Sequence, residues 1–195
     1  MFFLWEVNFK VVAVVAILIG LSACASNQMN AVSDNAKVMR PALGKALVIF
    51  VRPSMLGGAV QSTIYDGDNY IGTLSMHTQI AYQATPGTHM FMVVGESADF
   101  MRAELLPNKT YYAEVILRPG VWKARFSFRP QNGQIPKKDV EDWLGSNRQV
   151  EVNDAGRKWA QEHAADIQAK KAKYLAKWQS KPEADKQTLN ANSGI

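Results

Sequence analysis

Cysteine is almost absent from this chain. Its 195 residues hold one, Cys24, which excludes an internal disulfide and any multi-cysteine metal site. Histidine is scarce as well. His77, His89 and His163 are the only three, and none stands in a HExxH or HxE spacing. No GxSxG elbow, SxxK pair or Walker loop occurs, so the recognisable motifs of hydrolases and nucleotide-binding enzymes are missing. A run long enough to span a bilayer is missing too. Residues 11–21 read VVAVVAILIGL, short of the roughly 20 apolar residues that about 30 Å of hydrocarbon requires. Acidic excess is absent: 22 Lys and Arg against 17 Asp and Glu give a net charge of +5. The basic residues are spread along the chain and not interleaved with aromatics, so no nucleic-acid partner is expected. What remains is globular in composition, 47% hydrophobic and 20% charged, enough for a core.

Residues 11–21 have the length of a signal-peptide h-region, preceded by a weakly positive segment in which Glu6 dilutes Lys10. Leu21-Ser22-Ala23-Cys24 follows and closely resembles the lipobox of bacterial lipoproteins. The chemistry suits the spacing. Small residues before the cut fit a signal-peptidase cleft, and the thiol accepts the diacylglycerol. The resemblance implies that residues 1–23 are a lipoprotein signal peptide and that Cys24 carries the lipid. Several acyl chains anchor stably because each buried methylene adds about 0.8 kcal/mol. The alternative, a buried cysteine in an ordinary membrane span, is disfavoured by length and flanks. Ala25 replaces the aspartate of an inner-membrane retention signal, which implies an outer-membrane, periplasm-facing location. Residues 24–44 are small and polar without sustained periodicity, as in a flexible tether; a short helical turn at residues 36–39 is the other reading.

From Lys45 the pattern changes. KALVIFVR is apolar almost throughout, like a strand buried on both faces. VQSTIYD and YIGTL flank Asp66-Gly67-Asp68-Asn69, a hairpin signal. The two aspartates there lack the further acidic ligands of a calcium loop. QIAYQA closes on Thr85-Pro86-Gly87, a proline–glycine turn. THMFMVVG, FMRAELL, TYYAEVILR and WKARFSFR follow, with Pro107-Asn108-Lys109 and Pro119-Gly120 as further breaks. Seven or eight short strands at near-regular spacing predict a mainly β fold, an antiparallel β-sandwich over residues 45–130. Tyr111, Ala113, Val115 and Leu117 share the expected core face.

The combination VIFVRPS, IYDGDNYIGTL, TPGTH and LLPNKTYYAEV resembles an uncharacterised family of small bacterial lipoproteins with one β-sandwich of unknown function. The resemblance covers residues 45–118 and departs from the family pattern at Asn108-Lys109, where glycine is more usual. It implies a prealbumin-like sandwich and no reaction.

Residues 131–195 read as a helical extension. A short helix is expected over 136–144, with proline in its first turn and Gly145 just past its end. RQVEVN is a candidate strand. A longer helix is expected over 154–178, capped by Asp154, and the last residues are expected to fray. Trp159, His163, Ile167, Tyr174 and Trp178 recur on one helix face. Packing against the sandwich, with the lysines solvated, is the plainer account of that stripe; contact with a membrane surface or a partner protein is the alternative. Trp159, Tyr174 and Trp178 are the candidate interaction residues.

One chemical constellation stands out. Met76 and His77, then His89, Met90 and Met92, then Met101, offer thioethers and imidazoles of the kind that suit Cu(I), though methionine is also a routine core filler. His77, His89, Met90 and Met92 are thus the candidate metal ligands, against an expectation of no cofactor. The functional expectation is a non-enzymatic binding or structural module: the lipid on Cys24 holds the membrane, and the domain engages an envelope protein. Small-ligand or copper binding by the sandwich is the alternative.

Overall fold

The computed structural model describes residues 26–54, 60–118, 125–133 and 136–195. Cys24, the residues before it, and the turn residues Gly57, Gly58, Pro119 and Gly120 lie outside the described residues. The elements run β1 (Met29–Ala31), β2 (Ala46–Arg52), β3 (Ser62–Asp66), β4 (Asn69–Leu74), β5 (Thr78–Ala84), β6 (Gly87–Val94), β7 (Ala98–Leu105), β8 (Thr110–Arg118) and β9 (Arg125–Pro130). Then come α1 (Lys137–Ser146), β10 (Arg148–Val152), α2 (Asp154–Glu162), α3 (Ala164–Gln179) and β11 (Thr188–Leu189).

The fold is mainly β, with a sandwich-like pair of sheets. One sheet has six strands in the order β1-β10-β5-β2-β8-β9, the other five in the order β11-β7-β6-β3-β4. Three aromatic rings from both sheets meet between them. Phe50 lies 5.1 Å from Phe91 and 5.8 Å from Phe128. Tyr111, Ala113, Val115 and Leu117 face this core, as their alternation predicts.

Each sheet also has a covered outer face. Leu47, Ile49, Val51 and Tyr112 pack under Val140, Trp143 and Leu144 of α1. Tyr65, Met92, Val94 and Phe100 pack under Ile167 and Trp178 of α3, with Trp159 of α2 against them. The order is therefore helix, sheet, sheet, helix pair. This explains β2: every residue from Ala46 to Arg52 is buried because it is central and covered on both sides.

The antiparallel expectation needs correction, since both sheets are mixed. β2 runs parallel to β8, β10 to β5 and β11 to β7. The chain passes through the other sheet between β5 and β8, so β8 returns in the direction of β2. Hydrophobic alternation reports which face is buried, not strand direction.

Residues 26–44, expected as a tether, are laid along the domain instead. β1 pairs antiparallel with β10. Two glutamine amides then hold the chain that follows. Gln149 accepts from the Val38 N–H at 2.7 Å and donates to the Val38 carbonyl at 3.0 Å. Gln83 accepts from the Ala42 N–H at 2.9 Å and donates to the Arg40 carbonyl at 3.0 Å.

The tail also differs from its expected form. Gly145 lies inside α1, whose last turn ends at Asn147. The long helix is two. Asn153, not Asp154, caps α2, its side chain accepting from the Gly156 N–H at 2.9 Å. The axis breaks at His163, whose backbone N–H and Nδ1 both meet the Trp159 carbonyl. The last residues are pinned. Ile195 exchanges both backbone hydrogen bonds with Thr110, at 2.9 and 3.0 Å, and Gly194 lies against the Tyr111 ring, where a Cβ would come within 2.6 Å.

Candidate functional site

The motif residues of the sandwich do local structural work. The Asp66–Asn69 hairpin has two loop residues, the first being Gly67 at φ +59°, which glycine adopts without strain. His89 sits beyond the proline–glycine turn. Its Nδ1 meets Asp66 Oδ2 and its Nε2 the Thr85 carbonyl, each at 2.8 Å, and its ring stacks 5.6 Å from Phe91. Tyr82 donates to the same Asp66 oxygen at 2.9 Å. Burial, then the Asp66 contact, pushes the Tyr82 hydroxyl up to about 12. Both nitrogens of His89 are thus engaged in joining the hairpin to the turn.

Arg52 closes β2 and is 1% exposed. It donates to the Val60 carbonyl at 2.5 Å and lies 4.9 Å over the Phe126 ring, and burial lowers its pKa from the ordinary guanidinium value. The arginine–proline motif therefore fastens the β2–β3 connection to the strands beside it.

The candidate metal ligands are placed apart. His77 stands in the β4–β5 turn, its N–H on the Arg52 carbonyl. His89 is committed to Asp66 and Thr85. Met90 and Met92 lie on the opposite face of β6 from His89, within the apolar layer under α3. Met101 belongs to the core between the sheets. Among the described residues no group of three His, Cys, Asp or Glu side chains converges.

The aromatic stripe is brought together as its spacing predicts, and it faces the five-stranded sheet. Trp178 is 4% exposed, packs 6.4 Å from Phe100 and donates Nε1–H to Gln187 Oε1 at 2.9 Å. Trp159 stacks on His163 at 4.3 Å and tilts against Tyr70 at 6.1 Å. Trp178 is therefore core, not a free docking anchor, while Trp159 and Tyr174 are half-buried at the edges of the seam.

Each end of the helix pair leaves a hollow. Beside the α2–α3 break is a cavity of about 380 Å³ lined by Gln28, Gln61, Thr73, Trp159, His163 and Lys170 among others. Beside the second half of α3 is a cleft of about 290 Å³ lined by Ser97, Asp99, Arg118, Arg125, Phe126, Tyr174 and Lys177. Spacing gave no sign of either, because their residues come from distant segments.

A third feature lies at the end of the sandwich where β2 and β8 begin. Leu43 is 96% exposed and Leu106 43%. Their loops are bonded together, the Gly44 N–H to Asn108 Oδ1 at 2.9 Å and the Asn108 N–H to the Lys45 carbonyl at 2.7 Å. Ile195, also exposed, joins through Thr110. Arg40, Lys45 and Lys109 occur in these loops, residues 38–45 and 105–110 contain no acidic side chain, and Lys37 just before them is paired with Asp34 at 2.8 Å. Among the described residues no helix is long and apolar enough to cross a membrane. No protein-family model matches the chain, and no curated protein matches it.

Proposed function

We propose that this protein is a lipid-anchored module of a bacterial outer membrane that faces the periplasm and engages an envelope partner without catalysing a reaction. The lipobox-like Leu21-Ser22-Ala23-Cys24 supports the anchor. The observation that carries the docking reading is that exposed Leu43 and Leu106 stand on two loops bonded to each other, which also carry Arg40, Lys45 and Lys109. Apolar side chains with one-signed charge around them suit a partner surface that is apolar at its centre and acidic at its rim. On this reading the interaction lies at the loop end rather than on the tryptophan stripe. The strand orders β5-β2-β8-β9 and β7-β6-β3-β4 support the finer reading of the sandwich as prealbumin-like; the motifs VIFVRPS, IYDGDNYIGTL, TPGTH and LLPNKTYYAEV support membership of the uncharacterised lipoprotein family.

The test is site-specific photo-crosslinking in cells at Leu43 and Leu106, with Lys137 on α1 as a remote control. A discrete protein adduct at both leucines, absent at Lys137 and lost in the charge reversal Lys45→Glu with Lys109→Glu, is expected. Dependence on Cys24 is read in a Cys24→Ala chain. Adducts to lipid alone would assign the patch to the membrane surface and overturn the protein-partner reading; adducts of equal yield at Lys137 would overturn the patch itself.

Small-ligand binding is the second reading. The cavity beside the α2–α3 break supports it, being of the size of small-molecule sites and lined by convergent amides and hydroxyls around the Trp159–His163 stack.

A further inference from the structure

The cleft beside α3 concentrates positive charge in a way the fold does not require. Arg118 and Arg125 are direct partners across the β8–β9 ladder. Like charges opposite one another in a ladder are destabilising, and nothing in the core needs a cation at either position. Lys177 reaches the same cleft from α3, a third element. Among the described residues the only carboxylate lining it is Asp99, which is already engaged. Its Oδ2 accepts from Ser127 Oγ and, at 2.8 Å, from Gln187 Nε2, while Lys181 approaches Oδ1 at 3.4 Å and Arg118 approaches Oδ2 at 3.8 Å. Among the described residues Arg125 and Lys177 have no carboxylate partner. The connecting residues 119–124 read PGVWKA and contain no acidic side chain to supply one.

The rest of the lining fixes the kind of anion. Phe126 and Tyr174 contribute aromatic surface, and Ser97 a hydroxyl. An arginine guanidinium binds carboxylate or phosphate oxygens through two parallel N–H donors. A cleft of about 290 Å³ has room for one small molecule. The geometry points to a binding site for a small organic anion, its phosphate or carboxylate group on Arg118, Arg125 and Lys177 and its apolar part against Phe126 and Tyr174. This site is separate from the Leu43–Leu106 end and does not depend on that reading.

The test is calorimetric titration of the full chain in detergent with phenyl phosphate, phenol and inorganic phosphate at low ionic strength. Phenyl phosphate is expected to bind best, since it alone presents both the charge and the ring, with affinity falling as salt rises. Arg125→Gln with Lys177→Gln is expected to weaken it by at least about tenfold, as is Arg118→Gln alone, a change at a half-exposed side chain that leaves folding intact. Lys137→Gln, which removes an equal charge from a distant helix, is expected to leave binding unchanged. No binding of phenyl phosphate up to about 10 mM, or equal weakening by Lys137→Gln, would overturn the assignment. Phenol binding as tightly as phenyl phosphate would also overturn it, by removing the anion from the recognition.

Discussion

Replacing Trp178 by alanine tests the central packing claim, that the tail is bolted to the five-stranded sheet and not held free for a partner. The indole is 4% exposed against Phe100. Burying about 200 Å² of aromatic surface at about 25 cal/mol per Å² is worth about 5 kcal/mol as an upper bound. Truncation of a buried tryptophan costs about 3–5 kcal/mol when the neighbours relax only in part. The loss of its hydrogen bond to Gln187 adds to this, because Oε1 loses its donor while Nε2 stays bound to Asp99. An expected loss of about 4 kcal/mol is a large share of the 5–15 kcal/mol typical of a domain. It corresponds to a fall in Tm of about 8–16 °C at this chain length.

Urea unfolding followed by far-UV circular dichroism gives the answer. Trp178→Ala is expected to move the midpoint by the full amount, and Trp178→Phe by less than half of it, since phenylalanine keeps most of the contact with Phe100. A free docking helix behaves differently. Its tryptophan would be dispensable for stability, and its loss would instead abolish binding to liposomes or partner. A change under about 1 kcal/mol with an unaltered urea slope would refute the packing argument.

Three further outcomes follow from the buried polar groups. The Gln79 side chain is 0% exposed and neither of its amide atoms has a hydrogen-bond partner among the described residues; Gln79→Leu is expected to raise stability by about 1–2 kcal/mol, read as a higher urea midpoint, and a lower midpoint would show that the amide is satisfied. Gln149→Ala removes both amide bonds to Val38 and is expected to cost about 1–2 kcal/mol and to expose residues 32–45 to limited proteolysis well before global unfolding. Burial raises the hydroxyls of Tyr65, Tyr70, Tyr82 and Tyr112 above the ordinary tyrosine value of 10, Tyr82 to about 12. The unfolded chain then loses protons first, so stability is full below pH 10 and falls as pH rises towards 12. For half-exposed Tyr82 the solvent-discounted share is about 1 kcal/mol. Denaturant midpoints across that range should decline less steeply in Tyr82→Phe than in the parent.

What could be read from the sequence was local. KALVIFVR announced a strand covered on both faces, and Asp66-Gly67-Asp68-Asn69 a two-residue hairpin, because burial and backbone conformation act at short range. Strand direction did not show, since parallel pairing of β2 with β8 joins segments some sixty residues apart. The strap over residues 26–44 was equally hidden. Its fastenings are Gln83 and Gln149, the latter 111 residues from Val38, and a glutamine in a strand carries no mark of what its amide will hold. The tail stripe showed which helix face is apolar, but the same pattern serves a core and a docking surface, and only the 4% exposure of Trp178 separates them. The charged cleft was hidden for the same reason as the strap: Arg118 and Arg125 are neighbours across the β8–β9 ladder, but Ser97, Asp99, Tyr174 and Lys177 come from distant segments.

The helix pair ties stability and the cleft together. Tyr174 and Lys177 form part of the cleft and are carried by α3, one turn or less from Trp178, whose hydrogen bond to Gln187 leads on to Asp99 in the cleft floor. An anion held there must therefore favour the docked helix over the undocked one, and linkage makes the effect reciprocal. At a phenyl phosphate concentration one hundred times its Kd, the native state gains about 2.7 kcal/mol. That is more than half of the loss expected from Trp178→Ala, so the ligand should recover much of the lost urea midpoint in that variant. In a chain that also carries Arg125→Gln and Lys177→Gln, a tenfold weaker site should recover only about 1.4 kcal/mol at the same concentration. Equal recovery in both chains would place the anion elsewhere on the protein and break the link between α3 and the cleft.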